Sequence, residues 1–413
     1  MTARADVFSP GGLDWSLPEL RGAPAAFKTF VRLAARDWAA GVLEIITPEG
    51  LSIPIKGPNG GPEGRLVIGD YRFVGRVLTG GIIGFAEGYM AGEWDSPDLA
   101  VLLQALSLNL ERLQGLIEGS PVVRLLNRVT HRFRRNSRRG SRKNIHAHYD
   151  LGNRFYERWL DPSMTYSAAR FEQGDESLAD AQRLKNASLA RLIDLREGQS
   201  VVEIGCGWGG FAEFAAGEIG AKVTGVTISQ EQFDYAQKRM FERGLADRVD
   251  IRLVDYRDIE GQFDRVASIE MFEAVGEEYW PTYFAKVRSL LKPGGRAGLQ
   301  IITIRDELFE EYRTTTDFIQ KYVFPGGIVP SEQRLREETD RASLNWGEAI
   351  RFGQCYAQTL GQWARQFEAH WAQIAPLGFD ERFRRLWLFY LAYCEAGFRT
   401  GRTDVIQLAL DPA

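Results

Sequence analysis

Val201-Val-Glu-Ile-Gly-Cys-Gly-Trp-Gly-Gly-Phe211 is the stretch that decides the fold. Its first half is rich in β-branched residues, which predicts a buried strand that ends at Ile204. Closely spaced glycines follow, and they let the backbone turn tightly beside a ligand before helical spacing resumes. A strand, a glycine turn and a helix N-terminus together form the entry of a nucleotide-binding βαβ unit.

Two kinds of nucleotide site fit such a turn. Gly205, Gly207 and Gly210 satisfy the dinucleotide pattern G-x-G-x-x-G, but NAD or NADP would require an acidic residue or Arg about 20 residues further on, and residues 222–229 offer neither. Glu203 instead completes E-x-G-x-G, the arrangement of class I S-adenosylmethionine methyltransferases. A carboxylate there can meet the ammonium of the donor, and the glycines leave room for its sulfonium and ribose. The structural alternative is a strand-to-helix turn without a ligand.

The composition predicts a soluble, cytoplasmic protein of two or three domains. The chain has 413 residues and a net charge of -4, which gives no support to nucleic-acid binding. Its three cysteines are far apart, so neither a disulfide framework nor a zinc site is predicted, and we expect no bound metal. Neither a signal pattern nor a long apolar run is present. Any membrane contact is therefore expected to be peripheral, at the inner face of the cytoplasmic membrane.

Residues 1–120 are predicted to form a small α+β domain. Helical periodicity covers 25–40, strand patterns cover 41–47 and 66–73, and the stretch 57–64 between them is rich in turn residues. A long helix is predicted to begin at Ser96, with this serine as the cap and a proline at the first position. No residue pattern in this domain indicates chemistry. It is predicted to dock on a membrane, to form a homodimer or to serve only as structure.

Residues 121–144 are predicted to be a polybasic linker without a single acidic residue. Its basic residues are Arg124, Arg128, Arg132, Arg134, Arg135, Arg138, Arg139, Arg142 and Lys143. Such a segment gains about 1 kcal/mol per Lys or Arg near an anionic membrane surface. Nucleic-acid binding is disfavoured because Phe133 is the one aromatic residue among them, and a solvated linker is the remaining alternative.

Residues 145–413 alternate between strand and helix patterns. Strands are predicted at 200–204, 222–228, 249–254, 263–271 and 296–304, and helices at 181–195, 229–243 and 278–291, the last ended by Pro293-Gly-Gly. This alternation predicts an α/β fold in which helices cover both faces of a mostly parallel sheet. The fold expected is the Rossmann-like one of class I methyltransferases, with a seven-stranded sheet.

Ligands in open α/β sheets bind beyond the carboxyl ends of the strands. Polar residues stand at these predicted ends: Thr227, Gln232, Asp255, Tyr256, Arg257, Glu270 and Glu273. Thr227 and Gln232 can bond ribose hydroxyls, whereas Asp255 can accept from an adenine amino group that Tyr256 covers. Each assignment has a capping or packing alternative, and Ser229 in particular is predicted to be a helix N-cap.

The chain resembles the cyclopropane-fatty-acyl-phospholipid synthases and the related mycolic acid methyltransferases over nearly its whole length. The resemblance is carried by 148–153 (HYDLGN), 164–167 (MTYS), 203–209 (EIGCGWG), 225–229 (GVTIS), 271–273 (MFE), 322–327 (YVFPGG), Tyr356 and, as in the full-length bacterial enzymes, 88–95 (GYMAGEWD). It implies that Tyr166, Ser167, Gly205, Thr227 and Gln232 contact S-adenosylmethionine. It further implies methyl transfer to an unsaturated acyl chain of a membrane phospholipid, with S-adenosylhomocysteine as the second product.

The same resemblance implies a carbocation on the acyl chain and a base that removes a proton from it. In the synthases a bicarbonate ion has this role, held by a Cys, a Glu, a His and a Tyr. Glu273 and Tyr356 match two of these ligands, whereas the Cys position falls on Ala168 and the His position on Ile302. We therefore expect weak bicarbonate binding or none, and a carbocation that Glu273, Glu270 or Tyr356 quenches to give a methylated alkene. An intact bicarbonate site that forms cyclopropane is the alternative.

Residues 305–375 are predicted to form a lid and an acyl tunnel. Aromatic residues that could line the tunnel are Phe309, Tyr312, Phe318, Tyr322, Phe324, Trp346, Phe352, Trp363, Phe367 and Trp371, although such residues are also ordinary core. The apolar stretch 383–398 predicts a helix buried against the sheet or the tunnel. Two further functions stay open, a methyltransferase of small metabolites and a donor-binding pseudoenzyme that partners another protein.

Overall fold

The computed structural model describes residue 20 and residues 22–113 and 151–413. The described chain divides into two compact units. The small unit contains the residues before 114 together with 315–321 and 378–400, and the catalytic unit contains 151–314, 322–377 and 401–413.

The N-terminal part of the small unit is an α+β module, as predicted. Its elements are α1 Ala25–Asp37, β1 Ala40–Ile46, β2 Ser52–Lys56, β3 Asn59–Ile68, α2 Arg72–Met90, β4 Trp94–Asp95 and α3 Leu99–Asn109. The strands form one sheet in the order β2-β1-β3-β4, in which β1 and β3 are parallel and the outer pairs antiparallel.

Three local predictions for this module were wrong. The strand predicted at 66–73 ends at Ile68, and helix α2 begins at Arg72. Most of the glycine-rich stretch 57–64 is not a turn, because β3 begins at Asn59 and pairs with β1 through these residues. The cap of α3 is Asp98 and not Ser96, since the Asp98 carboxylate accepts the N–H of Val101 at 3.0 Å. Asp and Ser both cap helices well, and Asp98 is the cap here because it directly precedes Leu99, the first apolar residue of the helix.

The catalytic unit is built on a seven-stranded sheet. Its strands are β5 Ser200–Ile204, β6 Lys222–Thr227, β7 Val249–Leu253, β8 Phe263–Ile269, β9 Leu291–Ile304, β10 Leu344–Arg351 and β11 Thr403–Pro412. The order across the sheet is β10-β11-β9-β8-β5-β6-β7. Strands β5 to β9 are mutually parallel, and β11 is antiparallel to both of its neighbours. The predicted α/β class with a mostly parallel sheet is confirmed.

Helices cover this sheet on both faces, as the alternating pattern predicted. The helices after residue 150 are, in chain order, α4 Asn153–Tyr156, α5 Leu178–Leu192, α6 Gly210–Phe214, α7 Gln230–Glu242, α8 Trp280–Leu290, α9 Asp306–Tyr312, α10 Phe318–Tyr322, α11 Glu332–Arg341, α12 Gly353–Ala369, α13 Trp371–Ile374 and α14 Glu381–Arg399. Of these, α14 and all but the last residue of α10 belong to the small unit and do not cover the sheet. Neighbouring residues of β5 face opposite sides: Val201 packs in one core cluster with Leu189 of α5, and Val202 in another with Phe284 of α8. The two buried faces explain why β5 is apolar throughout.

One boundary in the sheet differs from its prediction. Pro293-Gly-Gly does not end helix α8, which stops at Leu290, but lies inside β9, which begins at Leu291. Gly294 takes a φ of +72°, a value that glycine adopts without strain. The turn chemistry was recognised, but it shapes the start of a strand.

The last helix does not pack on the sheet or on a tunnel, which corrects the sequence-based prediction for 383–398. Helix α14 lies in the small unit, where it packs against α2 and α3. Phe389 of α14 contacts Phe318, whose ring centroid is 4.8 Å away, so the segment 315–321 belongs to the same cluster. An apolar face predicts burial but does not identify the partner surface.

No helix in the described ranges is long and apolar enough to cross a bilayer. The boundary at residue 120, the basic linker 121–144 and the first part of 148–153 lie outside the described residues.

Candidate active site

The glycine turn after β5 follows the prediction in detail. Gly205 has a φ of +83°, and a Cβ atom at this position would lie 2.6 Å from Cγ of Met271. The backbone N–H groups of Gly205 and Cys206 donate to the carbonyl of Val226 at 3.0 and 2.9 Å. Gly207 also has a positive φ, +52°, with no atom within 4 Å of a built Cβ. Space therefore remains beside Gly207, whereas Gly205 is fixed by its neighbour.

Glu203 is buried beneath this turn, and one of its carboxylate oxygens, Oε2, has no hydrogen-bond partner among the residues that the structure describes. Burial raises the pKa of Glu203 to about 8, although the ammonium of Lys185 and the backbone N–H of Ala212 oppose this shift. An orphaned buried carboxylate oxygen is costly unless a ligand satisfies it. Its place below a glycine turn fits the ammonium group of an amino-acid-bearing donor.

Helix α5 presents two side chains to the loop that carries Tyr166 and Ser167. Gln182 donates to the carbonyl of Ser167 at 2.8 Å, and Lys185 donates to its hydroxyl at 3.0 Å. Burial lowers the pKa of Lys185 to about 8, while nearby carboxylates of Glu270 and Glu203 favour its charged form. Lys185 was not recognised from the sequence, because a lysine on a helix is normally solvated. The signal was its place on the apolar face of α5.

The ring of Tyr166 stands among other aromatic rings. Its centroid lies 5.4 Å from Tyr156, 5.7 Å from Trp159 and 5.2 Å from Trp363. Such packing fixes the ring rigidly. The phenol is thus held in place next to Ser167 before any ligand binds.

The ends of β6 and β7 carry the predicted ribose and adenine residues. The hydroxyl of Thr227 donates to Oε1 of Gln232 at 2.8 Å, and Ser229 is the N-cap of α7, as predicted. Both carboxylate oxygens of Asp255 accept from the guanidinium of Arg257, at 2.8 and 2.7 Å. The geometry brings these side chains to one edge of the sheet, and their contacts with a donor stay predictions.

Tyr256 lies next to this ion pair and is half-buried. In the described part of the chain its hydroxyl has no hydrogen-bond partner, and burial raises its pKa to about 12. The guanidinium of Arg257 lies 5.4 Å from its ring centroid, and the ring of Tyr283 packs on it at 5.6 Å. A flat ring held from one side is suited to cover a base on the other.

Glu270 follows β8 and is the most strongly bonded side chain of the site. Its Oε1 accepts from the backbone N–H of Ala168 at 2.8 Å and from Nε2 of Gln300 at 2.7 Å, and its Oε2 accepts from the Tyr356 hydroxyl at 2.7 Å. Burial raises the pKa of Glu270, and these three donors and Lys185 oppose the shift. Its φ of +49° is rare for a residue with a side chain. Strained backbone of this kind is concentrated at functional sites.

Glu273, one short turn later, has a different environment. Its Oε1 accepts from the backbone N–H of Ile302 at 2.6 Å, and its Oε2 has no hydrogen-bond partner within the described ranges 22–113 and 151–413. Burial and the negative charge of Glu270 raise the pKa of Glu273 to about 8. Two carboxyl groups with unequal donors therefore stand together, and their proton affinities are pushed apart.

The positions expected to lack bicarbonate ligands lie at these carboxylates. Ala168 and Ile302 have no polar side chain, and their backbone N–H groups each donate to a glutamate, while the carbonyl of Ala168 accepts from Nε2 of Gln300 at 3.5 Å. Strand β9 places the polar side chain of Gln300 here. Gln300 was not predicted from the sequence, although a glutamine inside an otherwise apolar strand was a signal for it. With these donors engaged and two acidic groups present, the residues do not fit a further anion.

The aromatic residues of 305–375 do not form one lining. Phe309 packs in the sheet core against Trp280, Phe318 lies in the small unit, and Trp363 packs on Tyr166. An acyl channel in this region therefore stays a prediction that rests on Trp363 and its neighbours.

Residues 136–408 match the family model described as mycolic acid cyclopropane synthetase. The chain belongs to this family. It is 41% identical, over 81% of its length and 80% of the relative's, to the tuberculostearic acid methyltransferase of Mycobacterium tuberculosis. It is 34% identical, over 90% of its length and 93% of the relative's, to the cyclopropane-fatty-acyl-phospholipid synthase of Escherichia coli K12.

Solved structures agree with this assignment. The cyclopropane synthase MmaA2 from M. tuberculosis is 28% identical, with a TM-score of 0.61 over 65% of this chain and 97% of that one. The mycolic acid cyclopropane synthase CmaA1, solved with SAH and CTAB, is 29% identical at the same TM-score and coverage of 65% and 97%. The chain is an S-adenosylmethionine-dependent methyltransferase with the class I fold, as predicted.

Proposed function

We propose that this enzyme methylates the double bond of an unsaturated fatty acyl chain in a membrane phospholipid and releases a methylated alkene. The observation that carries the proposal is the pair Glu270 and Glu273, in which one carboxylate is saturated with donors and the other has a free oxygen. The similarity to a tuberculostearic acid methyltransferase and to an acyl-phospholipid synthase supports the substrate class.

The donor, when bound, supplies an electrophilic methyl group on a positively charged sulfur. The π electrons of the alkene form the new carbon–carbon bond while the sulfur–carbon bond breaks, which leaves a cation on the neighbouring chain carbon. Oε2 of Glu273 then takes a proton from an adjacent chain carbon, and the electrons of that C–H bond form a new double bond. The products are S-adenosylhomocysteine, a methylated alkene and a protonated Glu273.

The two carboxylates divide the work in this proposal. Burial raises the pKa of Glu270, but three hydrogen-bond donors and Lys185 oppose this shift, so we assign the negative charge that stabilises the cation to Glu270. The same charge makes Glu273 basic, with a pKa of about 8. Environments that push two carboxyl pKa values apart identify the acid and base assignments of a site.

The binding roles follow from the strand ends. Glu203 holds the donor's ammonium, Gly205 and Gly207 admit its sulfonium and ribose, and Thr227 and Gln232 bond the ribose hydroxyls. The adenine residues proposed are Asp255, Tyr256 and Arg257, and Tyr166 and Ser167 close the site from the loop before α5. The orphaned Oε2 of Glu203 and hydroxyl of Tyr256 support this placement.

Analysis of the lipids from cells that express the enzyme tests the product. We expect mass spectra of acyl chains 14 mass units heavier, roughly one methylene, and proton spectra with vinylic or vinylidene signals. High-field cyclopropane protons as the main signal would instead mean that the proton leaves the transferred methyl group. That outcome, which the similarity to the E. coli synthase favours, would contradict the proposal.

Release of S-adenosylhomocysteine with different vesicles tests the substrate class. Turnover with unsaturated but not with saturated phospholipid is the result expected here. Turnover with small metabolites alone would identify a metabolite methyltransferase, and donor binding without turnover would identify a pseudoenzyme. Glu260→Gln, at an exposed position, is the control for preparation quality.

Docking on an anionic membrane surface is the proposed route to this substrate. The nine basic residues between 124 and 143 support it, because no acidic residue offsets them. Sedimentation with vesicles that contain an anionic lipid should pull down the protein, and added salt should release it. Equal binding to neutral vesicles would contradict an electrostatic role. The proposed homodimer can be checked in the same preparations by light scattering.

A further inference from the structure

A continuous series of hydrogen bonds runs through the buried interior of the catalytic unit and ends on Glu270. We define the donor chain as Arg170, Ser188, Gln407 and Gln300. The guanidinium of Arg170 donates to the hydroxyl of Ser188, which donates to Oε1 of Gln407 at 2.6 Å. Nε2 of Gln407 donates to Oε1 of Gln300 at 3.0 Å, and Nε2 of Gln300 donates to Glu270 at 2.7 Å.

The direction of every bond in the donor chain is fixed by its first member. A guanidinium has no acceptor, so Ser188 must accept from Arg170 and give its own proton onward to Gln407. The amide nitrogen of Gln407 then faces the other way, where the backbone carbonyl of Lys185, which can only accept, takes a second bond at 3.0 Å. Gln300 consequently receives a donor on its oxygen and presents its N–H to Glu270.

The fold supports this series at each step. Gln407 of β11 and Gln300 of β9 are paired in register across the antiparallel ladder. The backbone N–H of Glu270 donates to the carbonyl of Gln300 at 2.8 Å, which fixes the distance between these two residues. Gln300 and Gln407 are fully buried and Ser188 is 3% exposed, so water does not compete for these bonds.

We propose that Arg170, Ser188 and Gln407 are positioning residues, which hold the Gln300 amide in the single orientation that donates to Glu270. The inference rests on the proposed function, since Glu270 has a catalytic role only there. Nε2 of Gln300 also lies 3.5 Å from the carbonyl of Ala168, which can only accept, so this longer contact favours the same orientation. Without the donor chain, only this contact and Glu270 hold the amide, and a turned amide would present its oxygen to a carboxylate. That contact is repulsive, so the negative charge under the cation would be weakened.

Other groups also act on the charge of Glu270. Lys185 of α5 favours it, Glu273 opposes it, and the hydroxyl of Tyr356 on α12 donates to it. A change at residue 407 removes the bond to the backbone carbonyl of Lys185, but it leaves the side chains of all three residues in place. A comparison of variants at this position therefore isolates the donor chain.

The experiment measures the ionisation of Glu270 directly, in the full chain without substrate. Infrared spectra of the wild type minus Glu270→Gln give the carboxyl band of Glu270, which is followed against pH. In Gln407→Leu, which removes all three hydrogen bonds of this side chain, and in Gln407→Glu, which keeps only the bond accepted from Ser188, we expect this band to persist to a pH about one unit higher. Thr339→Val is the control, because it removes a buried hydroxyl on α11 that is outside the donor chain.

Turnover provides the second measurement. We expect kcat of both Gln407 variants to fall about tenfold, with KM for S-adenosylmethionine nearly unchanged. An unchanged titration of Glu270 in these variants would overturn the proposal, whatever happens to turnover. A shifted titration with unchanged turnover would support the donor chain and contradict the catalytic role of Glu270. Should Gln407→Leu fail to fold, Ser188→Ala gives the same titration with a smaller change.

Discussion

The hydroxyl of Tyr356 donates to Oε2 of Glu270 at 2.7 Å, although the two residues are 86 positions apart. Tyr356 lies on α12 and Glu270 follows β8, and the bond holds the carboxylate oxygen that Ala168 does not bond. Without it, Oε2 of Glu270 would lose its hydrogen bond from the Tyr356 hydroxyl. The bond therefore joins two separate parts of the catalytic unit at the proposed reaction centre.

Tyr356→Phe removes this donor without changing the ring. Hydrogen bonds to charged groups are worth about 1.5–3 kcal/mol, so we expect kcat to fall about ten- to hundredfold. KM for S-adenosylmethionine should change little, because Tyr356 is not among the residues proposed to contact it. Steady-state release of S-adenosylhomocysteine measures both constants. A rise in donor KM at unchanged kcat would place Tyr356 in binding instead.

The rate should depend on the ionisation of Glu273. Because the pKa of Glu273 is raised to about 8 and its carboxylate is the proposed base, kcat should increase with pH and level off above about pH 8. Glu270→Gln removes the charge that helps to raise this pKa. Its kcat should be far lower, and what remains should level off at a lower pH. A profile that is flat from pH 6 to 9 would contradict Glu273 as the base.

Burial of Glu273 should also make stability depend on pH. Its pKa is about 8 in the folded chain against an ordinary value of 4.5, so the folded chain binds more protons between these values. The free energy of unfolding must therefore decrease as pH rises through this window. Glu273→Gln should lessen that decrease by on the order of a few kcal/mol. Denaturant unfolding at pH 5 and pH 8.5 measures it, with exposed Glu260→Gln as control.

Gly205→Ala and Gly207→Ala form a matched pair. Both residues have a positive φ, but only at Gly205 would the new methyl group meet Met271, at 2.6 Å. We expect about 1–2 kcal/mol of destabilisation from backbone strain in each, and a further loss of stability and donor affinity for Gly205→Ala. Calorimetric titration with S-adenosylhomocysteine measures the affinity. Adding Met271→Ala should recover part of the loss, and no recovery would mean that the contact is not its cause.

Lys185→Met would leave Glu203 and Glu270 without their shared buried cation. Removal of one partner from a buried charge cluster costs about 3–5 kcal/mol, and the loss here should be smaller at pH 6, where Glu203 binds a proton more readily. The hydroxyl of Ser167 also loses the hydrogen bond from Lys185, so the affinity for S-adenosylmethionine should weaken. Exposed Lys238→Met is the control. Equal stability of Lys185→Met and the wild type at pH 8 would contradict this account.

The sequence predicted the parts of the site that depend on local chain chemistry. The strand and turn around Gly205, the N-cap Ser229 and the carboxylates after β8 all have strong local patterns, and the structure brings them to one edge of the sheet. The bounds of the helices moved by a few residues. These features could be predicted because each follows from a pattern within a few residues.

The features that were missed depend on contacts between distant segments. The role of Gln300 is visible only once β9 and β11 are paired and Glu270 is placed beside them. The place of Lys185 on the apolar face of α5 indicated burial, but its contact with Ser167 is seen only once α5 is packed under that loop. Likewise, the apolar face of α14 did not reveal that its partners are α2 and α3.

Because α14 completes the small unit, that unit is assembled from three stretches, the last of which ends at residue 400. During synthesis, the first hundred residues leave the ribosome long before their covering helix exists. Within residues 22–113, helices α2 and α3 therefore stay partly uncovered until almost the entire polypeptide has been synthesised. The part of the small unit that is synthesised first is thus the part that is covered last. We therefore expect it to depend on chaperones more than the rest of the chain.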